Sequence, residues 1–349
     1  MRRRTLLQSV SAAATLNTFP SHGKATPSRS SGPAPMRPRR LRAGDTIGLV
    51  SPASAVYERE PIARAIESLQ ALGFRVREAP HVRGRRGNFA GTDAERAADI
   101  NAFFSDDGID GILALTGGSG CGRIVDKLDY ALIQDHPKFF GGFSDLTCLI
   151  NAIQKKTGLV TFHCPVGVSE WNAFSVQSFR AVAMEAQPAL LEHPATTGDA
   201  LSPTADRLTT LRAGRARGRL VGGNVTVLAA MAGSLYWPDF QDALLVLEDV
   251  NEVVYRLDRC LSTLRLAGAF DRLAGVVLGQ FVNCGPGDNN FGALTLDEVF
   301  DDYFLPLGIP AVRGVMVGHI PRKHTLPIGA VAEVDATTGT IQLLASAVS

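Results

Sequence analysis

The chain has 349 residues, of which 45% are hydrophobic and 20% charged, the balance of a soluble globular protein and not of a disordered or fibrous one. That length holds two ordinary domains or one large one, and no apolar run of about 18 residues is present to span a membrane. The formal charge of +1 hides a split: of the 35 basic residues, eight arginines and Lys24 fall within residues 1–43, which hold no acid, so the remaining 26 face 34 acidic ones. That balance excludes a basic nucleic-acid surface on the body.

Residues 1–36 read as a signal-like, disordered segment. "MRRRTLLQSVSAAATL" is a basic start followed by a short, weakly apolar stretch, and "SHGKATPSRSSGPAP" has linker composition. Arg3-Arg4-Thr5-Leu6-Leu7-Gln8 resembles a twin-arginine export signal, which implies the periplasm. The alternative is initiation at Met36 and a cytoplasmic protein.

From residue 44 strand and helix patterns alternate. "DTIGLVSP" predicts a strand, and "EREPIARAIESLQALGF" a helix with Ile62, Ala65, Ile66, Leu69 and Leu72 on one face. "GTDAERAADINAFFSD" predicts a helix capped by Thr92 or Asp93. "GILALT" predicts a buried strand leading to a helix near Gly120; "FFGGFS" is another strand, followed by a helix from Asp145, and "VTFHCPV" comes next. Repeated units of this kind imply a parallel sheet covered on both faces, the N-terminal α/β domain over 37–170, with ligands at the carboxyl ends of its strands. Residues 171–215 form a less regular connection. The C-terminal domain, 216–349, mixes helices ("VTVLAAMAG", "EVVYRLDRCLSTLRLAGAF", "LTLDEVFDDYFLPLG") with strands and is β-rich toward its end, where Thr338-Gly339 signals a turn.

The segment "TGGSGCGRIV" admits two functional readings. It lacks the lysine of a P-loop, and Arg123 stands where a dinucleotide fingerprint needs a small residue, so a phosphate cradle is disfavoured. As a turn between strand and helix it would hold Cys121 clear of the sheet, with a helix N-terminus favouring the thiolate. A small buried cysteine under a loop is the competing reading. The five cysteines (Cys121, Cys148, Cys164, Cys260 and Cys284) contain no C-x-x-C pair, which argues against structural zinc and a disulfide framework. A nucleophile needs a base and an orienting acid. His319 leaves a hydrophobic strand directly through Gly318, whereas His163 lies within a strand and reads as a core or rim histidine. Glu248 and Asp249 end "ALLVLEDV", and as strand neighbours they face opposite sides.

Taken together, these places resemble the LD-carboxypeptidase (muramoyltetrapeptide carboxypeptidase) family. The likeness runs over nearly all of residues 43–345: "GDTIGLVSPAS", "GGSGCGRIVDKLDY", "HPKFFGGFSDLTCL", "GRLVGGNVTVLAAMAGS", "LLVLEDVNEVVYRLDRCLSTL" and "GHIPRKHTLPIGA". The resemblance implies a nucleophile-elbow α/β domain and a β-rich domain supplying glutamate and histidine. Carried over by motif, it implies a triad of Cys121, Glu248 and His319, with cysteine where the family has serine. It further implies oxyanion donors at Gly118 and Gly122 and substrate contacts from Ser144, Asp145 and Asn224. Arg256 is a candidate partner for the substrate carboxylate. The implied activity is removal of the terminal D-alanine from a murein tetrapeptide in peptidoglycan recycling, without metal or organic cofactor and without a nucleic-acid partner; a homodimer is suggested. Two other readings are a microcin-immunity-type peptidase acting on peptidyl or aminoacyl nucleotides, and an inactive muropeptide-binding protein.

Overall fold

The computed structural model describes residues 35–194, 201–202, 206–287 and 293–349. Five strands of the first half, β1 (Thr46–Val50), β2 (Arg75–Glu78), β3 (Gly111–Ala114), β4 (Phe139–Gly142) and β5 (Thr161–His163), pair in parallel in the order β2-β1-β3-β4-β5. The near-continuous apolar sequences of β1, β3 and β4 suit strands buried on both faces, whereas β2, at the edge, is polar and partly exposed. The order reverses between β1 and β3, and the crevice outside such a reversal is where open α/β sheets hold ligands.

The helices between these strands follow the predicted faces. α1 (Arg59–Ala71) buries Ile62, Ala65 and Leu69. α2 (Asp93–Ser105) starts at Thr92, whose side chain accepts from the Glu95 N–H at 3.2 Å while the Glu95 carboxylate accepts from the Thr92 N–H at 2.7 Å. Two orphan amides are thus satisfied reciprocally. Thr92→Ala is expected to lower unfolding stability by about 1 kcal/mol, read from a urea melt with an unchanged slope. α3 (Tyr130–Asp135) and α4 (Thr147–Thr157) complete this half, α4 ending at Gly158 with φ 78°.

The second half builds a mixed sheet. Its strands are β6 (Leu190–Leu191), β7 (Thr209–Arg212), β8 (Arg215–Asn224), β9 (Ala243–Val250), β10 (Gly275–Val282), β11 (Ala311–Arg313), β13 (Val331–Asp335) and β14 (Thr340–Leu343), in the order β6-β14-β13-β8-β9-β10-β11-β7. β8 to β11 run parallel, and the remaining pairs are antiparallel. Between β11 and β13, the short strand β12 (Leu326–Ile328) leaves this sheet and pairs antiparallel with β5, so the C-terminal half supplies the edge of the first sheet. The segment expected as a bare connection carries α5 (Ala173–Phe179), a single π turn (Arg180–Met184), β6 and β7. α6 (Val225–Ala230), α7 (Val254–Leu266) and α8 (Leu296–Phe304) cover the second sheet. Both sheets belong to one compact unit, Gly32–Ser349.

The twin-arginine stretch lies outside the described residues. Among the described residues no helix is long and apolar enough to cross a membrane.

Candidate active site

Two loops at the carboxyl ends of neighbouring strands compete for the role of elbow. After β3, the glycine-rich segment forms no α-helix; it enters two short 3-10 turns, Cys121–Arg123 and Val125–Lys127. A buried guanidinium holds it in place. Arg96, 1% exposed, donates to the carbonyls of Pro52 and Gly120 and to the Asp93 carboxylate. Gly120 has φ 119°, and a Cβ there would lie 2.7 Å from the Arg96 Nη1 and 2.9 Å from the Phe89 ring. The Cys121 side chain points into the core with no exposed surface, and its N–H donates to Asp145 Oδ2 at 2.7 Å. Burial, aided by the nearby Asp145 carboxylate, raises the thiol pKa well above its ordinary value. That opposes the thiolate a nucleophile needs, and Cys121 is the buried cysteine of the competing reading.

The loop after β4 has the elbow geometry. Ser144 sits at φ 66°, a left-handed conformation rare for a residue with a side chain, and opens a 3-10 turn (Ser144–Leu146) that runs into α4. Two glycines make the sharp turn possible. A Cβ on Gly141 would meet Cys164 Sγ at 2.6 Å, and one on Gly142 would meet Leu146 Cγ at 2.8 Å and Ala114 Cβ at 3.1 Å. Strand and helix therefore pack closely and push Ser144 outward.

The imidazole reaches this serine. The Ser144 hydroxyl donates to His319 Nε2 at 2.9 Å, and His319 Nδ1–H donates to Glu248 Oε2 at 2.7 Å. Glu248, two residues before the end of β9, has no exposed surface, and Gly318, φ 119°, lets the backbone bring His319 against it: a Cβ there would stand 2.8 Å from Glu248 Oε2. The expected opposition of strand neighbours holds, because Asp249 turns away to accept from Asn224 Nδ2 at 2.9 Å and from the Thr226 hydroxyl at 2.8 Å. Burial pushes the Glu248 carboxyl pKa up, but two imidazoles outweigh it and hold it at about 2. The second is His163, buried, with no hydrogen-bond partner among the described residues and its Nε2 3.9 Å from Glu248 Oε1. It stands beside the acid with both ring nitrogens unpaired, and is not the satisfied core histidine expected. Of the proposed triad, then, Glu248 and His319 meet, but the third member they meet is Ser144. The serine that the family resemblance implies is present, 23 residues beyond the cysteine first assigned to it.

The other candidates separate in the same way. Gly117 and Gly118 flank Ser144 in a cleft of about 570 Å³ that also holds Val168, Glu170, His319 and Lys323. Gly122 does not line it. It faces a neighbouring pocket of about 360 Å³ beside Val125, Cys148, Met231 and Tyr236. Asp145 is buried and ties the two loops together through Cys121; burial raises its carboxyl pKa. Asn224 caps α6 through the Val227 N–H at 3.1 Å and donates to Asp249; it is buried and does not line this cleft. Arg256 is exposed beside Glu252 and Tyr255 on α7, outside the cleft. Lys323, one of the cleft residues, has no role in the motifs named above; its one sequence signal is the basic pair Arg322-Lys323 directly after Pro321.

Residues 47–164 match the LD-carboxypeptidase N-terminal domain and residues 217–334 the LD-carboxypeptidase C-terminal domain. The chain belongs to the LD-carboxypeptidase family. This LD-carboxypeptidase is 36% identical over 309 residues to a probable murein peptide carboxypeptidase of Bacillus subtilis, covering 87% of this chain and 93% of the relative. It is 30% identical over 301 residues to the murein tetrapeptide carboxypeptidase of Pseudomonas aeruginosa, covering 83% and 92%. In fold it resembles the structure of MccF in complex with glutamyl sulfamoyl guanosine, with a TM-score of 0.81 and 24% identity over 90% of this chain and all of that one. As a member of this family it is a peptidase.

A side chain at Gly117 would enter the elbow, since a Cβ there lies 2.8 Å from Ser144 Cβ and 3.0 Å from its Oγ. Gly117→Ala is expected to lower peptidase turnover by about 10²-fold by displacing the hydroxyl, with the melting temperature little changed. A turnover equal to the parent's would mean that the hydroxyl has room to adapt.

Proposed function

We propose that the protein is a serine LD-carboxypeptidase that releases the terminal D-alanine from murein tetrapeptides in peptidoglycan turnover. The observation that carries this reading is the unbroken chain from Ser144 Oγ through His319 to Glu248, on a left-handed turn at the mouth of a cleft. Glu248 fixes His319 in the tautomer with its proton on Nδ1, leaving Nε2 free to accept from the serine. Ser144 Oγ attacks the carbonyl that joins the L-centre to D-alanine, its proton passes to His319 Nε2, and a C–O bond forms. His319 then protonates the nitrogen of D-alanine as the C–N bond breaks. Water, deprotonated by the same imidazole, hydrolyses the ester and releases the tripeptide. The amides of Gly118 and of Asp145, the residue after the nucleophile, are the oxyanion donors that an elbow of this kind presents; losing one such donor typically costs ~10²–10³ in turnover.

The test is incubation of the purified protein with a murein tetrapeptide, following D-alanine by chromatography. Release of D-alanine and tripeptide in equal amounts is expected. Hydrolysis of an aminoacyl nucleotide with an untouched tetrapeptide would move the activity to the microcin-immunity type, and tight tetrapeptide binding without turnover would make it a binding protein.

A further inference from the structure

A peptidase that acts only at a free C-terminus must distinguish a carboxylate from an amide, and among the described residues lining this cleft one, Lys323, carries an ammonium or guanidinium. Lys323 is 6% exposed. Its Nζ lies 4.0 Å from the centre of the Phe143 ring, the residue immediately before Ser144, and that ring is in turn 4.9 Å from the His319 ring. No carboxylate stands within ion-pair distance of the ammonium among the described residues. Its backbone is pinned: the Lys323 N–H donates to Ser175 Oγ at 3.1 Å, and the Pro321 carbonyl accepts from Asn172 Nδ2 at 2.8 Å and from Ser175 Oγ at 3.2 Å. A buried ammonium without a counter-ion is costly, and here it is held on an aromatic face beside the elbow, open to the cleft. An anionic ligand group is what this arrangement lacks.

We propose that Lys323 is the specificity-determining residue of the cleft, its ammonium receiving the free carboxylate of the leaving terminal amino acid. This assignment rests on the carboxypeptidase reading and deepens it. Lys323 takes no part in the bond changes; it sets which end of a peptide can lie across Ser144.

Burial lowers the Lys323 pKa to about 8. The groups facing it are Glu248 near the end of β9, Cys164 just after β5, Glu170, and His319 beyond Phe143. Glu248 is held ionised and Cys164 is pushed well up by burial. The neutral form of a lysine cannot pair with a carboxylate, so affinity for a free-acid peptide should fall as pH rises through about 8. A peptide ending in a carboxamide feels every facing group except this pair and serves as the control.

The experiment measures binding, by calorimetry, of a D-alanine-terminated tetrapeptide and its C-terminal amide to Ser144→Ala protein, with and without Lys323→Met. With Lys323 present, amidation is expected to weaken binding about 10- to 100-fold, the worth of a charge-assisted pair. With methionine the two peptides bind alike, and the alkaline fall in acid-peptide affinity disappears. Unaltered binding of the amide shows that the variant is folded; Lys323→Gln gives the same comparison should methionine perturb the loop. Loss of affinity by the same factor for both peptides overturns the assignment while leaving the carboxypeptidase reading intact. Failure of the parent to release D-alanine overturns that reading separately.

Discussion

Ser144→Ala is expected to lower D-alanine release by about 10⁴–10⁶-fold, the range seen when the nucleophile of a serine–histidine–acid triad is removed, whereas Cys121→Ala leaves turnover close to that of the parent. The contrast follows from where the two side chains point. Ser144 Oγ is 2.9 Å from His319 Nε2, so its proton has a base within direct reach, and its left-handed backbone aims it into the cleft. Cys121 Sγ is enclosed, its pKa driven up by burial and by the adjacent Asp145 carboxylate, so neither access nor ionisation favours attack. Cys121→Ala should instead cost about 1 kcal/mol of stability through lost packing, seen as an earlier urea midpoint. Steady-state assays of the two variants beside the parent decide the matter: a silent Cys121→Ala with a dead Ser144→Ala is the expected pair, and the reverse would return the nucleophile to the cysteine.

The second large effect is expected at the acid. Glu248→Gln keeps the shape of the side chain but removes the charge that holds the His319 Nδ1 proton, and a comparable change in another triad lowers turnover by about 10⁴. Glutamine can present its amide N–H to Nδ1, which puts the proton on Nε2 and leaves the serine without an acceptor. Glu248 also sits between two imidazoles, so the substitution removes the negative charge beside His163 as well. The pH dependence carries the same sign. The Glu248 pKa is depressed in the folded state to about 2 against about 4.3 in an unfolded chain. The stability it contributes is therefore present above pH ~4.3 and is lost as pH falls through about 2. Urea midpoints measured down an acid series should drop more steeply for the parent than for Glu248→Gln over that window. Equal slopes would mean that the carboxylate draws no net stabilisation from its imidazoles.

Where chemistry depends on neighbours along the chain, the sequence was sufficient. The 3.6-residue spacing of α1, the capping box of α2, the apolar runs of β1, β3 and β4, and the opposed faces of Glu248 and Asp249 are local properties, set by backbone geometry within a few residues. His319 was legible for the same reason: a histidine leaving a strand through glycine has few places to go. The family resemblance was legible from the order of its motifs.

The nucleophile was not. Two strands of one sheet lead through glycines to a nucleophilic residue, Cys121 after β3 and Ser144 after β4, and nothing local distinguishes them. Local sequence favours the richer loop, but that loop is bent around the Arg96 guanidinium, which arrives from α2 and draws the Gly120 carbonyl inward. The poorer one becomes the elbow because Cys164, Leu146 and Ala114 leave no room for a side chain at Gly141 or Gly142. Its serine is chosen by an imidazole 175 residues away. Lys323 belongs to the same class, since only the packing of its loop against α5 turns a surface-looking basic pair into a cation beside the elbow. What a residue can do chemically was thus determined by the chain itself. Which residue does it was decided by long-range packing, because a triad is assembled from loops whose positions depend on contacts between distant segments.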